Sequence, residues 1–410
     1  MTLFGTPISG PPNGELFGTL SGELLKNCIY YSLRFTMADA FIYGASVEGE
    51  NFTDREEETK RLKANFEHGV NTLLISNRRI GKTSLVRHVK NLVNKKKVSV
   101  VYLDIFDCRS EYDFYNKLAA AVLQQTSSKL DLFLQNIKTF LGRVSPRITL
   151  SPDPTTDYSV SLGITPKEYA PEQILQLAEI IAQKQEKHIV VCIDEFQQIG
   201  EFPESVTVQK RLRSVWQLQQ NVSYCLFGSK KHLMTNIFQN KSMPFFQFGD
   251  VIYLGVIPVK KWVPFICKKF KQQGLVINEE LAARICNEVD GYSSYVQQLA
   301  WLVMLKTEKE VTSKIVDIAV TELISQNAAL FMQQTEGLTS YQMNMLRALA
   351  SGIHGEFTSK NVMEEFRLGT KSNITKVKKI LIDRDLIEMR KSGLFISDPV
   401  FQMWFKRFCL

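Results

Sequence analysis

The chain has 410 residues, of which 44% are hydrophobic, and a formal net charge of +8 at pH 7. This length supports two or three domains, and no apolar run approaches the roughly 18 residues that a membrane-spanning helix needs. The seven cysteines show no C-x-x-C spacing, which argues against a zinc site or a disulfide framework and is typical of reduced cytoplasmic thiols.

The first 36 residues differ from the rest of the chain. They are rich in Gly and Pro, show no sustained periodicity, and lack the basic start and cleavage site of a secretory signal. We expect residues 1–36 to be an extension that is disordered or not translated, with Met37 as the natural start. The alternative is a genuine but poorly ordered tail.

The segment 71–86 has the pattern of a strand, a turn and a helix. Its apolar start predicts a buried parallel strand, and the turn ends in Gly81-Lys82-Thr83. This matches the phosphate-loop pattern G-x-x-x-x-G-K-[ST] except at Ser76, which replaces the first glycine and is unfavourable there if that position needs a positive φ. Lys82 is predicted to reach the β- and γ-phosphates of a nucleotide, and Thr83 to hold Mg²⁺. The predicted phosphate-binding residues are Ser76, Asn77, Arg78, Arg79, Ile80, Gly81, Lys82, Thr83 and Ser84.

Two further apolar runs predict buried strands. The first covers 98–105, and the second ends at Ile193 and delivers Asp194 and Glu195 at its carboxyl end, where an α/β sheet places its ligand chemistry. Asp194 is predicted to position Mg²⁺, and Glu195 to act as the general base that activates water. Between the two runs, residues 143–168 contain two alternating segments around a Pro-Asp-Pro turn, which predicts an inserted hairpin.

The pattern near the C-terminus is three helices followed by two short strands, which is the order of a winged helix. The predicted elements span 340–350, 359–366, 372–384, 386–390 and 394–397. The third helix is predicted to start at the N-cap Ser372 and to bury Ile374, Val377, Ile380 and Leu381.

This C-terminal module has a basic balance that bears on its partners. From Gly337 onward it carries 12 Lys and Arg residues against seven Asp and Glu residues, which favours contacts with DNA phosphates. Winged helices also dock proteins, so duplex DNA and a protein partner both stay open. The candidate DNA contacts are Lys371, Asn373, Lys376 and Lys379.

Three stretches, NFTDREEETKRL, ISNRRIGKTSL and VVCIDEFQQI, resemble the archaeal and bacterial P-loop ATPases of the STAND branch of AAA+-type proteins. The resemblance implies an α/β fold, with a P-loop NTPase parallel sheet flanked by helices, a helical lid and a C-terminal winged-helix domain. It also implies ATP and Mg²⁺ as cofactors. The expected domains are the extension (1–36), the core with its hairpin near 143–168 (37–255), the lid (256–335) and the winged helix (336–410).

The resemblance further implies roles for single residues. The first stretch predicts a helix over 51–62, capped by Thr53 or Asp54, and lies beside the adenine pocket in the family, where Arg55 is part of the motif. Ser229, at the end of another buried strand, is the candidate sensor of the γ-phosphate. The closing SDPVFQMWFKRF matches a family pattern interpreted as a packing tail, and no nuclease-like domain is expected after it.

The chain departs from the family at two places. Gln247 stands where family members often carry an arginine, and Arg211 and Arg213 are expected to be salt-bridged rather than to serve as an arginine finger. Gly291-Tyr292-Ser293 replaces the family's Gly-His-Pro lid motif, so we expect nucleotide sensing by the lid to be weakened or to pass through Tyr292.

The functional prediction is an ATP-binding and ATP-hydrolysing molecular switch whose nucleotide state is coupled to the winged helix. We prefer ATP over GTP because no Asn-Lys-x-Asp guanine motif is present. The alternatives are a non-hydrolysing ATP-bound scaffold and a DNA-binding regulator in which ATP is a structural ligand. The expected partners are ATP, with duplex DNA, a protein or a second copy of the chain; no membrane is expected, and the expected location is cytoplasmic.

Overall fold

The computed structural model of the chain describes residues 40–126, 148–151, 159–162 and 171–410. The predicted extension 1–36 lies outside the described residues. The strands are β1 (Thr72–Ile75), β2 (Val98–Asp104), β3 (Ile148–Ser151), β4 (Ser159–Leu162), β5 (His188–Asp194), β6 (Val222–Gly228), β7 (Asp250–Tyr253), β8 (Ile387–Arg390) and β9 (Gly393–Ile396). The helices are α1 (Glu56–Glu67), α2 (Lys82–Leu92), α3 (Glu111–Thr126), α4 (Pro171–Leu175), α5 (Leu177–Gln185), α6 (Ser205–Trp216), α7 (Lys231–Gln239), α8 (Val259–Gln272), α9 (Glu279–Glu288), α10 (Ser293–Leu305), α11 (Ser313–Glu336), α12 (Ser340–Ala350), α13 (Lys360–Glu365), α14 (Lys371–Asp383) and α15 (Pro399–Phe408).

A five-stranded parallel sheet with the order β2-β5-β6-β1-β7 forms the core. Its central strands are apolar on both faces because helices cover both sides, as a parallel sheet requires. The register pairs Ile75 with Gly228, and Asp104 with Asp194. The carboxyl ends of β1, β5 and β6 therefore lie together, and the residues that follow them meet at one edge of the sheet. The predicted α/β fold class is confirmed.

The predicted insertion is seen as the strand pair β3–β4. These strands pair antiparallel, with Ile148 opposite Leu162 and Ser151 opposite Ser159. The two predicted alternating segments thus form the two strands of a hairpin, while the Pro-Asp-Pro turn between them lies outside the described residues. The pairing confirms the hairpin prediction.

The winged helix is formed by α12 to α14 and the β8–β9 hairpin, and α15 closes it. Two details of the sequence prediction are wrong. The helix α14 is capped by Thr370, whose side chain accepts a hydrogen bond from the backbone N–H of Asn373, and not by Ser372. Ile380 is 39% exposed because the buried stripe of α14 is narrow. This stripe consists of Ile374, Val377 and Leu381.

One long helix, α11, leads directly into the winged helix. Phe331 on this helix packs against Phe401 and Trp404 of α15, with ring centroids 5.4 and 5.8 Å apart. Within the described part of the chain, α11 is also the one helix long and apolar enough to cross a membrane by length and composition, with a mean hydropathy of 1.3 in its 18-residue window. Only 28% of that window is buried, and such a signal from a single helix is weak.

Candidate functional site

The loop between β1 and α2 wraps around the N-terminus of α2. Gly81 has a φ of 96° and Arg79 a φ of 63°, so these two residues take the left-handed conformation that the tight turn needs. Ser76 is not among the positive-φ residues, so the concern about a serine at the first glycine position does not arise. Its hydroxyl has a use instead, because Ser76 Oγ accepts a hydrogen bond from Lys82 Nζ at 3.0 Å.

Lys82 is buried and its ammonium group is folded back onto the loop. Besides Ser76 Oγ, it donates to the backbone carbonyl of Asn77 at 2.8 Å. Burial lowers the pKa of Lys82 to about 8, although the nearby carboxylates of Asp194 and Glu195 favour the charged form. The ammonium is thus held by neutral acceptors beside the helix N-terminus, where anions bind.

Asp194, at the end of β5, lies opposite this loop. Its Oδ2 accepts hydrogen bonds from Thr83 Oγ1 and from the Tyr102 hydroxyl, both at 2.8 Å, and its Oδ1 accepts the Glu195 N–H at 2.9 Å. Burial raises the pKa of Asp194, while these hydrogen bonds act in the opposite direction. The predicted neighbours Thr83 and Asp194 do come together, and Tyr102 is a member of the site that the sequence analysis missed.

Glu195 follows Asp194 in the left-handed region, with a φ of 54°. A residue other than glycine held in this region is uncommon and is often found at functional sites. Its Oε2 accepts hydrogen bonds from Ser229 Oγ at 2.9 Å and from the Gln197 amide. Ser229 Oγ in turn accepts one from Arg78 Nε at 3.2 Å. The candidate base and the candidate sensor are therefore in direct contact.

The oxygen atoms of this edge suit Mg²⁺. The hydroxyl of Thr83 and the carboxylate of Asp194 are hard ligands 2.8 Å apart, next to a loop shaped for phosphate. Mg²⁺ prefers one or two such protein oxygens together with substrate phosphates. Among the described residues, no group of three or more His, Cys, Asp or Glu residues forms a separate metal cage. The donor set therefore fits an ion that is shared with a nucleotide.

A cavity of about 630 Å³ opens over these residues. It is lined by Lys82, Asp194 and Glu195, by the segment 42–47 and by the start of α10. The segment is fixed beside the phosphate loop because the Val47 N–H donates to Ser84 Oγ at 2.9 Å. Sequence reasoning did not assign the segment to the site, because no residue pattern in it indicates phosphate or base contact.

Arg55 braces the loop from outside the cavity. Only 4% exposed, it donates to the carbonyls of Ile80 and Gly255 at 3.0 and 2.7 Å and pairs with Glu58 at 3.2 Å. It also takes the N-cap position of α1, with a φ of 74° and no side-chain cap. The prediction that Thr53 or Asp54 caps this helix is therefore wrong.

Replacing Arg55 is expected to destabilise the loop. In Arg55→Ala the Ile80 and Gly255 carbonyls both lose the guanidinium donor, and Ile80 keeps only the Ser293 hydroxyl at 3.2 Å. We expect this loss to lower the free energy of unfolding by about 1–3 kcal/mol. Urea denaturation of the variant beside Lys60→Ala, an exposed residue of the same helix, measures this difference. Equal stability of the two variants would show that Arg55 does not support the loop.

The phosphate loop also contacts the winged helix. The Asn77 amide donates to Glu388 Oε2 at 2.8 Å and to the Tyr292 hydroxyl at 3.0 Å. Arg79 forms an ion pair with Asp398. Tyr292 in turn donates to the Ser397 carbonyl at 2.8 Å. Two carboxylates of the winged helix, those of Glu388 and Asp398, thus bind side chains of the phosphate loop.

Asp398 is more than part of a packing tail. Its Oδ1 caps α15 by accepting the N–H groups of Val400 and Phe401 at 2.9 and 3.0 Å, and its Oδ2 accepts the Tyr295 hydroxyl at 2.6 Å. The same Oδ2 faces Arg79, which stacks over the Tyr295 ring 4.5 Å from its centroid. The loop, the lid and the last helix therefore meet at one carboxylate.

The two arginines considered as a finger are engaged elsewhere. Arg211 pairs with Glu111 at 2.5 Å and with Glu172 at 3.5 Å. Arg213 donates to the Phe246 carbonyl at 3.1 Å. Neither lines the cavity. Arg211 is salt-bridged as expected, whereas Arg213 forms no ion pair with the described residues, so the expectation of a salt bridge is wrong for Arg213.

The candidate DNA contacts on α14 differ in availability. Lys371, Lys376 and Lys379 are exposed and form no ion pair within the described part of the chain. Asn373, chosen as a base reader, donates its amide to the Leu368 carbonyl at 3.0 Å. This face of the helix therefore presents positive charge, while the amide of Asn373 is already hydrogen-bonded within the winged helix.

Comparisons with known proteins identify the family of the chain. The model described as "ATPase domain predominantly from Archaea" matches residues 52–299, and that of a "Probable winged helix domain" matches 329–407. The search of curated proteins found no match. Among solved structures, the Walker-type ATPase PABY2304 of Pyrococcus abyssi is 16% identical with a TM-score of 0.65, covering 90% of this chain and 99% of its own. The Aeropyrum pernix ORC2 protein, solved as ADPNP–ADP complexes, is 13% identical with a TM-score of 0.55. The match covers 90% of this chain and 94% of the ORC2 chain.

At these identities the two structures show a shared fold and no more. The family model carries more weight, because it matches more than half of the chain and spans the phosphate loop, Asp194, Glu195 and Ser229. The placement within the STAND branch stays a prediction. The chain belongs to the family of ATPase domains found predominantly in archaea, with a winged helix at its C-terminal end.

Proposed function

We propose that this chain is an ATP-hydrolysing switch in which nucleotide at the phosphate loop controls the position of the winged helix. The observation that carries the proposal is the direct contact between the two. Asn77 and Arg79 of the loop are held by Glu388 and Asp398 of the winged helix. A triphosphate on the loop would place negative charge beside both carboxylates, which disfavours the docked position.

The hydrolytic step follows from the side chains at the sheet edge. Lys82 leaves Ser76 and Asn77 and donates to the β- and γ-phosphates. Mg²⁺ held by Thr83 and Asp194 would neutralise charge on the same phosphates. Glu195 takes a proton from the attacking water as the water oxygen bonds to the γ-phosphorus, and the bond from this phosphorus to the bridging oxygen breaks, so that ADP leaves with that oxygen. Because Ser229 occupies Oε2, we assign the proton to Oε1.

Ser229 has a positioning role in this proposal. It links Glu195 to Arg78, so a γ-phosphate that attracts Arg78 also affects the hydrogen bond that orients the base. Tyr292 connects Asn77 to the winged helix, which supports the expectation that lid sensing passes through this tyrosine. ATP binding and turnover are thus connected to the docked state through hydrogen bonds at the loop.

We further propose that the winged helix binds duplex DNA through phosphate contacts with little sequence preference. The exposed side chains of Lys371, Lys376 and Lys379 support this proposal. The amide of Asn373 already donates to the Leu368 carbonyl, which argues against a hydrogen bond from Asn373 to a base edge. A protein partner or a second copy of the chain is the alternative outcome.

The DNA proposal makes a quantitative prediction. In the full chain, changing Lys371, Lys376 and Lys379 to Gln is expected to lower the slope of log affinity against log salt by up to about three, because each phosphate contact contributes about 0.9. The control changes the exposed Lys95, Lys96 and Lys97 to Gln, which removes the same charge from the core. Fluorescence anisotropy of a labelled duplex measures both. Equal slopes in the two triple variants would exclude this helix as the contact.

A further inference from the structure

One buried amide oxygen in the wall of the cavity has no hydrogen-bond donor among the described residues. Gln297, on the second turn of α10, is 4% exposed and lines the cavity, and its Oε1 accepts no hydrogen bond from the described residues. A buried amide oxygen without a donor is unfavourable, and native proteins rarely leave one unsatisfied. This atom lies in the wall of a cavity shaped for a ligand, so a ligand donor would satisfy it.

Gln297 shares the wall of the cavity with the segment 42–47 and with Ser293 and Ser294 at the start of α10. The phosphates lie at the loop and at the start of α2, where Thr83 and Ser84 are located. Ser84 holds the segment 42–47 through Val47, and this segment and α10 both line the cavity. Ribose and base would therefore extend from the loop between the segment and α10. Helix α10 is itself fixed on the loop, since the Ser294 N–H donates to the Arg79 carbonyl at 3.1 Å.

We propose that Gln297 is a specificity-determining residue that accepts a hydrogen bond from the exocyclic amino group of adenine. The inference rests on the proposed function, because it requires ATP in this cavity. The terminal bond of a glutamine side chain rotates easily, so Oε1 can turn toward the base without a change of backbone. Recognition from α10 makes base contact depend on the lid helix being seated on the loop.

The test compares ATP with purine riboside triphosphate, which lacks only the amino group. Both compete with a fluorescent ATP analogue for the full chain. The unmodified chain is expected to bind ATP about tenfold more tightly, because the analogue leaves Oε1 unpaired. In Gln297→Met, which keeps the side-chain length and has no amide acceptor, the ratio of the two affinities is expected to fall to about one.

The neighbouring Gln298 supplies a matched control. Its amide donates to Gln326 of α11 at 3.0 Å, so Gln298→Met is expected to keep the tenfold preference. Equal binding of both nucleotides by the unmodified chain, or an unchanged ratio in Gln297→Met, would overturn the assignment alone. Failure of the unmodified chain to bind ATP would overturn the assignment and the proposed function together.

Discussion

Glu195→Gln is expected to bind ATP as tightly as the unmodified chain and to hydrolyse it at least about 100-fold more slowly. A general base contributes about 10²–10⁴-fold to the rate of such a step, and an amide cannot accept the proton. The substitution keeps the size of the side chain, and the Gln carbonyl can still accept the hydrogen bond from Ser229. Single-turnover hydrolysis and equilibrium binding, measured on the same preparation, separate the two quantities.

The matched control for this prediction is Glu201→Gln. Glu201 is exposed at the end of the 3-10 helix Phe196–Glu201 that follows Glu195, so this substitution should leave the rate unchanged. The scaffold alternative expects tight binding and negligible turnover in the unmodified chain, with no effect of Glu195→Gln. If Glu195→Gln hydrolysed ATP at the rate of the unmodified chain, Glu195 would not be the general base, and another base would be required.

Lys82→Met is expected to weaken ATP binding by about 10- to 100-fold at pH 7.5, since a hydrogen bond to a charged group contributes about 1.5–3 kcal/mol. The unmodified chain should also show a pH dependence. The pKa of Lys82 in the free protein is about 8, and a bound triphosphate raises it. Below pH 8 the ammonium is already charged, so affinity changes little through this group. Above pH 8 binding must take up a proton, and affinity falls by up to about tenfold per pH unit.

Calorimetry between pH 7.5 and 9.5 tests this prediction. Lys82→Met should show no such fall, whereas Lys96→Met, at an exposed position, should behave like the unmodified chain. A fall of the same size in Lys82→Met would assign the titration to another group.

The parts of the fold that were predicted correctly are those fixed by neighbouring residues. The helix α12 begins at Ser340 and ends at Ala350 as predicted, because Thr339 and Gln342 form a capping box at its start. The phosphate loop was recognisable because strand, Gly81-Lys82-Thr83 and helix follow one another directly. The cap of α14 was misplaced because Thr370 and Ser372 are equally good caps by residue type, and only the backbone distinguishes them.

The parts that were missed depend on distant residues. Tyr102 reaches Asp194 because β2 and β5 are neighbours in register, and the sheet order is not written in either strand. The pairing of Arg79 with Asp398 joins the loop to the last helix, and both residues have ordinary local explanations as a loop residue and a helix cap. Gln297 looks like any glutamine on a lid helix until the wall of the cavity is known.

The most direct test of the proposed switch is the distance between the core and the winged helix with and without ATP. Spin labels on a ketone-bearing amino acid at the exposed positions 96 and 391 leave the native cysteines unchanged. In the Glu195→Gln background, saturating ATP with Mg²⁺ is expected to shift the distance distribution away from the nucleotide-free one, and Asp398→Asn should shift it partly without nucleotide. An identical distribution with and without bound ATP would contradict the account, because nucleotide would then not move the winged helix.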